Sequence, residues 1–441
     1  MLKQHNIDYQ NKKIIILGIG ITGLSCIKFF LANGVKPIVM DTRKIPPFIS
    51  KIPKNIKLFI GKLNNSCLQS ADLIIISPGI TKKIPELVQA EKNGIKIISD
   101  IELFCHQADA PIIAITGTNG KSTVTSLIGE IAKTAGISVG IGGNIGIPAL
   151  SLLNSGYSLY VLELSSFQLE TTYSLKAISA TVLNISDNHL DRYKLGLQEY
   201  RENKLKIYNN SQNRIVNIQD ILTLPKNCSV DKCITFGLNN GNYLFDTKKN
   251  KLIANNQVIL NAEEMHIKGQ HNYLNALAAL ALADTINIPR NISIKALKKY
   301  SGLPHRFQLI FFNKGVSWIN DSKSTNVAST KAALSSLYIN GRVHLLLGGD
   351  GKSADFSPLK MHININIYKI YCFGRDAKFL AKLFPKKSII TETMEQSLHL
   401  ISQNLKKGDV VLLSPACSSL DQFKNFEHRG NVFTQLAKKL G

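Results

Sequence analysis

The chain has 441 residues, of which 44% are hydrophobic, and it carries a formal net charge of +23 at pH 7. Such a length exceeds one ordinary hydrophobic core, so we expect two or three domains. The sequence shows neither an apolar run long enough to span a membrane nor the apolar segment of a signal peptide at the N-terminus. The seven cysteines are scattered, which favours a reducing cytoplasm over a disulfide framework.

The positive charge comes mostly from lysines that are spread along the chain. Nucleic-acid-binding proteins usually combine basic and aromatic residues in a recognition motif, and the sequence contains no such motif. We therefore interpret the charge as a compositional bias, and we expect no nucleic acid partner and no insertion into a membrane.

The first segment contains a glycine-rich turn. The pattern Gly-x-Gly-x-x-Gly occupies residues 18–23, between an apolar run and a helical pattern, and Asp41 follows eighteen positions after the last glycine. Such a turn binds phosphorylated ligands through its backbone, although the motif alone does not name the ligand. Strands are predicted at 13–17, 37–40, 73–76 and 96–98.

The second segment opens with a phosphate-binding loop. The β-branched run Ile112–Thr116 predicts a buried strand, and residues 117–120 lead into Lys-Ser-Thr at 121–123, where a helix begins. In such loops, backbone N–H groups and the lysine hold phosphates, and a hydroxyl group holds Mg²⁺. The match is incomplete because Ile115 stands where the usual pattern has glycine. The alternative is an ordinary strand–turn–helix with a solvated lysine.

Two later strands of this segment end in polar residues. Glu163 lies near the end of the strand predicted at 160–164. Asp187, His189 and Asp191 follow the strand predicted at 180–185. Since ligands collect at the carboxyl ends of parallel strands, these side chains should converge near the phosphate-binding loop. Glu163 and His189 are therefore candidate metal ligands, and local hydrogen bonding is the alternative.

Lys204 is predicted on the apolar face of a helix, whereas Lys206 falls on the polar face. The residues that share the face of Lys204 at helical spacing are Leu197, Tyr200, Ile207 and Tyr208. A lysine that loses its hydration has a lowered pKa, and its neutral amine becomes available for reaction. The alternative is a lysine whose ammonium group extends to water from a buried stem.

The last segment repeats the alternation of strands and helices, with strands predicted at 316–321, 343–349, 370–374 and 410–413. The fold class is therefore α/β with three domains. We predict a Rossmann-like domain at 1–99, a central domain at 100–302 with a P-loop-type parallel or mixed sheet, and a Rossmann-like domain at 303–441. The turn-rich stretch 228–257 carries no recognisable site.

A series of motifs resembles those of the Mur ligases, the ATP-dependent enzymes that build the peptide stem of bacterial peptidoglycan. It includes Thr-Gly-Thr-Asn-Gly-Lys-Ser-Thr at 116–123 and Asn-His-Leu-Asp-Arg at 188–192, with further motifs at 143–144, 163–168, 269–272, 304–306 and 320–323. The resemblance covers essentially the whole chain. Within the family, Asn119 and the runs 348–356 and 414–430 resemble the member that adds D-glutamate.

The resemblance implies a bacterial cytoplasmic ligase, expected to be a monomer, that acts in peptidoglycan synthesis and so in cell shape and division. Its substrates would be ATP, UDP-N-acetylmuramoyl-L-alanine and D-glutamate. ATP would phosphorylate the substrate carboxylate, and the amine of D-glutamate would attack the acyl phosphate through a tetrahedral intermediate. Two Mg²⁺ ions and a carbamylated Lys204 are implied as well.

The resemblance also assigns roles to single residues. The catalytic residues would be Lys121, His189, Lys204 and Arg306. ATP would be bound by Gly117, Thr118, Asn119, Gly120, Lys121, Ser122, Thr123, Asn275, Arg306 and Asp321. The UDP substrate would be bound by Ile21, Thr22, Asp41, Thr42, Arg43, Ser77, Asn144 and His189. D-Glutamate would be bound by Thr325, Lys352, Ser419 and Phe426, and Mg²⁺ by Ser122, Glu163, His189 and Lys204.

Three other classes of protein account for part of the chain only. A folylpolyglutamate synthase usually has glycine where this chain has Ser122, and it lacks the turn at 18–23. A dinucleotide-dependent oxidoreductase would use that turn, but it leaves the loop at 117–123 without a role. A nucleic-acid-binding ATPase would use the charge, but it explains neither Lys352 nor the run 414–430.

Overall fold

The structure is a computed structural model that describes residues 8–188, 192–226, 228–335, 337, 341–363 and 366–441. Their strands form three β-sheets. The chain divides into a first compact unit, Met1–Met265 with Tyr273–Lys299, and a second unit, His266–Asn272 with Tyr300–Gly441. The first unit contains two of the sheets and the second unit contains the other, which confirms the predicted α/β class. The domain boundaries near 99 and 302 remain predictions.

The first sheet consists of short apolar strands: β1 (Ile14–Leu17), β2 (Ile38–Asp41), β3 (Leu58–Ile60), β4 (Leu73–Ile76) and β5 (Lys96–Ile98). The helices around it are α1 (Ile21–Ala32), α2 (Asn65–Gln69), α3 (Pro85–Lys92) and α4 (Asp100–Gln107). All strand pairs are parallel, in the order β3-β2-β1-β4-β5. Since the order changes direction at β1, the crevice for a ligand lies outside the carboxyl end of that strand.

The turn between β1 and α1 requires glycine at two positions. Gly18 has a φ of +95°, a conformation that favours glycine. A Cβ on Gly23 would lie 1.8 Å from the carbonyl oxygen of Gly18, so the first turn of α1 packs on this backbone too closely for any side chain. The predicted glycine-rich turn is therefore present between strand and helix.

The second sheet is the largest, and its strands are β6 (Ile112–Thr116), β7 (Val139–Gly143), β8 (Leu159–Glu163), β9 (Ser179–Val182), β10 (Asn213–Asn217), β11 (Ile234–Leu238), β12 (Tyr243–Asp246), β13 (Lys251–Ala254) and β14 (Gln257–Asn261). The helices in this part of the chain are α5 (Lys121–Thr134), α6 (Ser166–Glu170), α7 (Leu197–Leu205), α8 (Gln270–Asp284) and α9 (Arg290–Lys299). The strand order is β14-β13-β12-β11-β10-β9-β6-β8-β7. The strands from β7 to β12 are parallel, and β12, β13 and β14 form antiparallel hairpins. The sheet is therefore mixed, as predicted.

The third sheet is formed by β15 (Gln308–Asn313), β16 (Val316–Asn320), β17 (Val343–Gly348), β18 (Ile367–Phe373), β19 (Ser388–Ile390) and β20 (Val410–Leu413). Its helices are α10 (Val327–Ser335), α11 (Ala377–Leu383), α12 (Met394–Ser402) and α13 (Phe426–Leu440). The order is β15-β16-β20-β17-β18-β19, and only the β15–β16 pair is antiparallel among the described strands. Within the described ranges, no helix combines the length and the apolar character needed to cross a membrane.

Candidate active site

The phosphate-binding loop connects β6 to α5 and is fixed by the end of β9. Gly117 and Gly120 have φ values of +152° and +83°. The backbone N–H of Thr118 donates to the carbonyl oxygen of Asn184 at 2.8 Å, and the N–H of Asn119 donates to the side-chain Oδ1 of the same residue at 2.8 Å. Asn184 thus holds the loop in one conformation at the N-terminus of α5, where the helix dipole favours anions.

Lys121 begins α5 and folds back onto the loop. Its Nζ donates to the carbonyl oxygens of Gly117 and Thr118, at 2.8 Å each. Asn275 on α8 also lies against the loop, because a Cβ on Gly120 would be 2.5 Å from its Oδ1. The ammonium group and the amide predicted to contact ATP are therefore both at the loop.

Glu163 ends β8 next to the loop, since β8 pairs with β6 at Ile115. Its side chain is buried, and its Oε1 accepts a hydrogen bond from Asn144 Nδ2 at 2.7 Å. Its Oε2 is also buried, and it has no hydrogen-bond partner among the described residues. A buried carboxylate oxygen without a partner is costly, and a hard cation such as Mg²⁺ would satisfy it.

Lys204 on α7 is 1% exposed. Its Nζ donates to Thr116 Oγ1 at 3.1 Å and to the carbonyl oxygen of Gly117 at 2.8 Å. Burial lowers the pKa of Lys204 well below its usual value, and the charge of Lys121 adds to this effect, against the opposing effect of Glu163. Of the two interpretations left open by the sequence, the structure shows the buried one, because the Nζ bonds to Thr116 and Gly117 and does not extend to water.

The structure brings Glu163 and Lys204 to the same end of the sheet as Ser122, which is buried in the first turn of α5. His189, predicted as a metal, substrate and catalytic residue, lies outside the described residues, as does Asp191. Over the described ranges, there is no cluster of three or more His, Cys, Asp or Glu side chains that would hold a metal ion. Among the predicted metal ligands, the described residues at this end of the sheet are Ser122, Glu163 and Lys204.

The predicted UDP-binding residues of the first sheet surround its glycine-rich turn. The buried carboxylate of Asp41 accepts hydrogen bonds from the N–H of Ile19 at 2.7 Å and from Arg43 Nη2 at 2.6 Å. Burial raises the pKa of Asp41, but these hydrogen bonds outweigh it and lower the pKa overall. Asp41 therefore fixes the turn and Arg43 together.

The other predicted UDP-binding residues do not all lie on the glycine-rich turn. Ser77 Oγ donates to the carbonyl oxygen of Gly18 at 3.3 Å, so it lies on the turn. Ile21 is 56% exposed, and Thr42 is exposed beside Asp41. Thr22, in the first turn of α1, accepts a hydrogen bond on its carbonyl oxygen from Ser25 Oγ at 2.7 Å. Asn144 contacts Glu163 in the second sheet, as described above.

In the second unit, Asp321 follows β16 and is buried. Its carboxylate accepts hydrogen bonds from Ser414 Oγ at 2.7 Å and from the N–H of Phe307 at 3.0 Å. Burial raises the pKa of Asp321 to about 6, although these hydrogen bonds and the positive charge of Arg306 oppose the rise. Asp321 and Arg306, both predicted to bind ATP, are therefore close enough to interact.

The predicted D-glutamate residues lie on segments that contact each other in two pairs: Lys352 with Ser419, and Thr325 with Phe426. The loop with Lys352 is joined to the segment with Ser419, because Asp350 and Ser418 exchange backbone hydrogen bonds of 2.9 and 2.8 Å. Phe426, the first residue of α13, has Lys323 Nζ 3.8 Å from the centre of its ring. The N–H of Thr325 donates to the carbonyl oxygen of Lys323 at 2.8 Å, which places Thr325 beside that pair.

Sequence reasoning missed Arg429, which connects these segments. Its side chain is fully buried, and it donates from Nη2 to the carbonyl oxygen of Ser322 at 2.8 Å and from Nη1 to that of Cys417 at 3.1 Å. Burial lowers the pKa of Arg429 to about 10, so the guanidinium keeps its charge at neutral pH. Its spacing to the buried Phe433 and Leu436 on α13 places it on the apolar face, the same signal that identified Lys204.

Three families of domains match the chain in order. Residues 12–99 match "Mur ligase MurD-like, N-terminal domain", residues 115–283 match "Mur ligase middle domain", and residues 305–417 match "Mur ligase, glutamate ligase domain". The UDP-N-acetylmuramoylalanine--D-glutamate ligase of Escherichia coli (strain K12) is 56% identical over 436 residues, which are 98% of this chain and 100% of that protein. The chain belongs to the Mur ligase family.

Another relative of this Mur ligase, the protein with the same name from Salmonella typhi, is also 56% identical over 98% of the chain and 100% of its own length. Mur ligases are ATP-dependent ligases, and this enzyme is one of them. The match at 12–99 includes the glycine-rich turn at 18–23, which a folylpolyglutamate synthase lacks.

Solved structures share the fold of this Mur ligase at low sequence identity. The pseudomurein peptide ligase type C from Methanothermus fervidus has a TM-score of 0.64 and 19% identity, over 98% of this chain and 100% of that one. UDP-N-acetylmuramate-alanine ligase from Thermotoga maritima has a TM-score of 0.64 and 20% identity, over 97% and 100%. These likenesses show that the three-domain α/β fold is that of the family.

Proposed function

We propose that this Mur ligase joins D-glutamate to UDP-N-acetylmuramoyl-L-alanine, with conversion of ATP to ADP and phosphate, in the cytoplasmic stage of peptidoglycan synthesis. The observation that carries the proposal is the 56% identity, over 98% of the chain, to relatives named UDP-N-acetylmuramoylalanine--D-glutamate ligase. The phosphate-binding loop of the first unit and the lysine-containing surface of the second unit suit two anionic substrates, ATP and D-glutamate.

In the first step, a carboxylate oxygen of the L-alanyl group attacks the γ-phosphorus of ATP, ADP leaves, and an acyl phosphate forms. The protein contributes mainly position and charge to such a transfer. The N–H groups of residues 117–120 and the ammonium group of Lys121 would hold the phosphates, with Asn275 as a further contact. Lys121 supports this assignment because it already rests on the loop carbonyls.

We assign Mg²⁺ to Ser122, Glu163, His189 and Lys204, with two ions in all. The buried Oε2 of Glu163, which lacks a partner among the described residues, supports a cation at this place. When bound, Mg²⁺ neutralises the charge that develops on the transferred phosphoryl group. Lys204 would join the site after its neutral amine combines with CO₂ and releases a proton, because the resulting carbamate offers the oxygen ligands that Mg²⁺ prefers.

In the second step, the amine of D-glutamate attacks the acyl carbon, and phosphate leaves from the tetrahedral intermediate as the amide forms. The two carboxylates of D-glutamate need a cation and hydrogen-bond donors, which Lys352, Thr325 and Ser419 would supply. Phe426 would contact the aliphatic part of the substrate. The hydrogen bonds of Arg429 to the carbonyl oxygens of Ser322 and Cys417 support the assignment, because they join the segments that carry Thr325 and Ser419.

Phosphate release from ATP tests the proposal. We expect release to require both UDP-N-acetylmuramoyl-L-alanine and D-glutamate, because the acyl phosphate forms only on the first and is consumed only by the second. L-Glutamate and L-lysine in place of D-glutamate should give little release. Release that proceeds without the UDP substrate, or that is faster with L-lysine, would show that the proposed substrates are wrong.

A further inference from the structure

Arg192 connects the second sheet of the first unit to the first sheet. It lies between β9 and α7, and its Nη1 and Nη2 donate to the carbonyl oxygens of Pro78 at 3.0 Å and Ile80 at 3.2 Å. Nη2 also donates to Glu170 Oε2 at 2.9 Å, and the guanidinium lies 4.2 Å from the centre of the Phe167 ring. One side chain therefore binds the backbone of the turn that follows β4.

The turn that Arg192 binds forms part of the predicted UDP-substrate site. Ser77, directly before Pro78, donates a hydrogen bond from Oγ to the carbonyl oxygen of Gly18. A Cβ on Gly18 would lie 2.7 Å from that Oγ, so the two turns are in direct contact. The position of residues 77–80 therefore determines one side of the glycine-rich turn.

The guanidinium of Arg192 is held on its other side by α6. The side chains of Arg192 and Glu170 are only 11% and 7% exposed, so their ion pair is largely shielded from water. The N-terminus of α6 is fixed by a capping box: the Ser165 side chain accepts a hydrogen bond from the backbone N–H of Gln168, and the Gln168 side chain accepts one from the backbone N–H of Ser165. The donors of an arginine are held in a fixed planar fork, so the guanidinium sets the relative orientation of two carbonyl groups more strictly than the rotatable ammonium group of a lysine.

We propose that Arg192 is a positioning residue for the UDP-linked substrate. It keeps the 77–80 turn in the conformation that receives the nucleotide, and it connects that turn to α6, which follows the strand that carries Glu163. The inference rests on the proposed function, because that function assigns the UDP group to this turn. Arg192 bonds to the backbone of the turn, so its loss should weaken binding of the UDP substrate and leave ATP and D-glutamate binding unchanged.

The test compares the KM values of the three substrates in Arg192→Ala, Arg192→Lys and a matched control, Arg201→Ala. Arg201 also donates to two backbone carbonyls, those of Leu222 at 2.8 Å and Leu224 at 3.1 Å, on a segment with no predicted substrate contact. We expect Arg192→Ala to raise the KM for the UDP substrate at least about tenfold and the other two by less than about twofold. The KM of Arg192→Lys for the UDP substrate should lie between the values of the wild type and of Arg192→Ala. Arg201→Ala should not raise the KM for the UDP substrate selectively.

Equal increases in all three KM values, a fall in kcat alone, or the same result for Arg192→Ala and Arg201→Ala would overturn the inference. Direct binding of UDP, measured by calorimetry, distinguishes a failure of this inference from a failure of the proposed function. We expect UDP binding to weaken at least about tenfold in Arg192→Ala and to persist in Arg201→Ala. If Arg192→Ala does not fold, unchanged UDP binding by Arg192→Lys contradicts the inference. A wild-type enzyme that binds UDP but releases no phosphate with the UDP substrate contradicts the proposed function alone.

Discussion

The Nζ of Lys204 lies 2.8 Å from the carbonyl oxygen of Gly117, the first residue of the phosphate-binding loop. The Nζ of Lys121 donates to the same oxygen at 2.8 Å. Because two amines share one acceptor in a buried place, the charge of Lys121 adds to the effect of burial and lowers the pKa of Lys204. A neutral amine next to the incompletely bonded Glu163 is an arrangement that carbamylation and Mg²⁺ binding would complete.

Replacement of Lys204 by alanine should abolish most of the activity. We expect a loss of at least about hundredfold in kcat, because the variant lacks the group that carries the carbamate oxygens. Added short-chain carboxylates, such as acetate or propionate, should restore part of the activity because they can supply oxygen ligands in the vacated space. Phosphate release with and without the additive measures both effects.

Lys206→Ala is the matched control for that experiment. Lys206 lies two residues further along, and its Nζ donates to the carbonyl oxygen of Glu170 at 2.9 Å, away from the loop. This variant should keep most of its activity and show no response to carboxylates. Near-normal activity of Lys204→Ala without an additive would contradict the role of Lys204 as a metal ligand.

Glu163→Gln should raise the Mg²⁺ concentration that gives half-maximal activity at least about tenfold, because a neutral amide binds Mg²⁺ more weakly than a charged carboxylate. The amide oxygen of glutamine can still accept the hydrogen bond from Asn144, so the local structure should persist. The apoprotein should be no less stable than the wild type, since the variant removes a buried charge. Titration of activity with MgCl₂, together with thermal unfolding, measures both.

Glu130→Gln on α5 provides the comparison, because it makes the same chemical change about 13 Å along the helix from Lys121. We expect its Mg²⁺ requirement to match that of the wild type. An unchanged Mg²⁺ requirement in Glu163→Gln would mean that the buried Oε2 binds no cation.

Gly23→Ala should destabilise the enzyme by about 3 kcal/mol, because the new Cβ would collide with the carbonyl oxygen of Gly18. Gly20→Ala is the control in the same turn: a Cβ there has no atom within 4 Å. We expect it to change stability by less than about 1 kcal/mol. Thermal unfolding monitored by circular dichroism compares the two, and equal stability of both variants would show that the turn is not closely packed.

The stability of the first unit should depend on Glu102 at acidic pH. Burial raises the pKa of Glu102, but hydrogen bonds from His106 and Ser174 and from backbone N–H groups outweigh it and lower the pKa to about 2. Because the pKa is lower in the folded than in the unfolded state, the stabilisation is present above about pH 4.5 and is lost as the pH falls toward 2.

Unfolding by urea between pH 6 and pH 3.5 checks this prediction, with Glu102→Gln as the comparison. We expect the wild type to lose on the order of 1 kcal/mol more stability than the variant as the pH falls. Parallel pH profiles for the two proteins would show that the hydrogen bonds to Glu102 do not stabilise the fold.

The sequence predicted strands of continuous apolar residues better than short, half-exposed strands. The runs at β4 and β20 are continuous and apolar because both faces of these strands are buried, so they are visible without any partner. The edge strands β3 and β19 have only three residues each, and no residue in either is fully buried. Such short, half-exposed strands depend on pairing with a neighbour, which local sequence does not reveal.

The candidate site was likewise predictable only where local sequence is sufficient. Lys204 was predictable because helical spacing alone places it among apolar residues. Arg192 and Arg429 were not predictable as connecting residues, since their acceptors are remote in sequence: Pro78 lies 114 residues from Arg192, and Ser322 lies 107 residues from Arg429. The motifs contain both arginines, but only the folded chain shows which carbonyl groups they bind.

The most direct test of the central claim follows the carboxylate oxygens of the UDP substrate. UDP-N-acetylmuramoyl-L-alanine labelled with ¹⁸O in its carboxylate is incubated with ATP and D-glutamate, and the products are analysed by mass spectrometry. An acyl phosphate that is attacked by the amine predicts one labelled oxygen in the released phosphate and one in the new amide. Label in AMP, or unlabelled phosphate alongside a D-glutamyl product, would contradict phosphoryl transfer to the carboxylate.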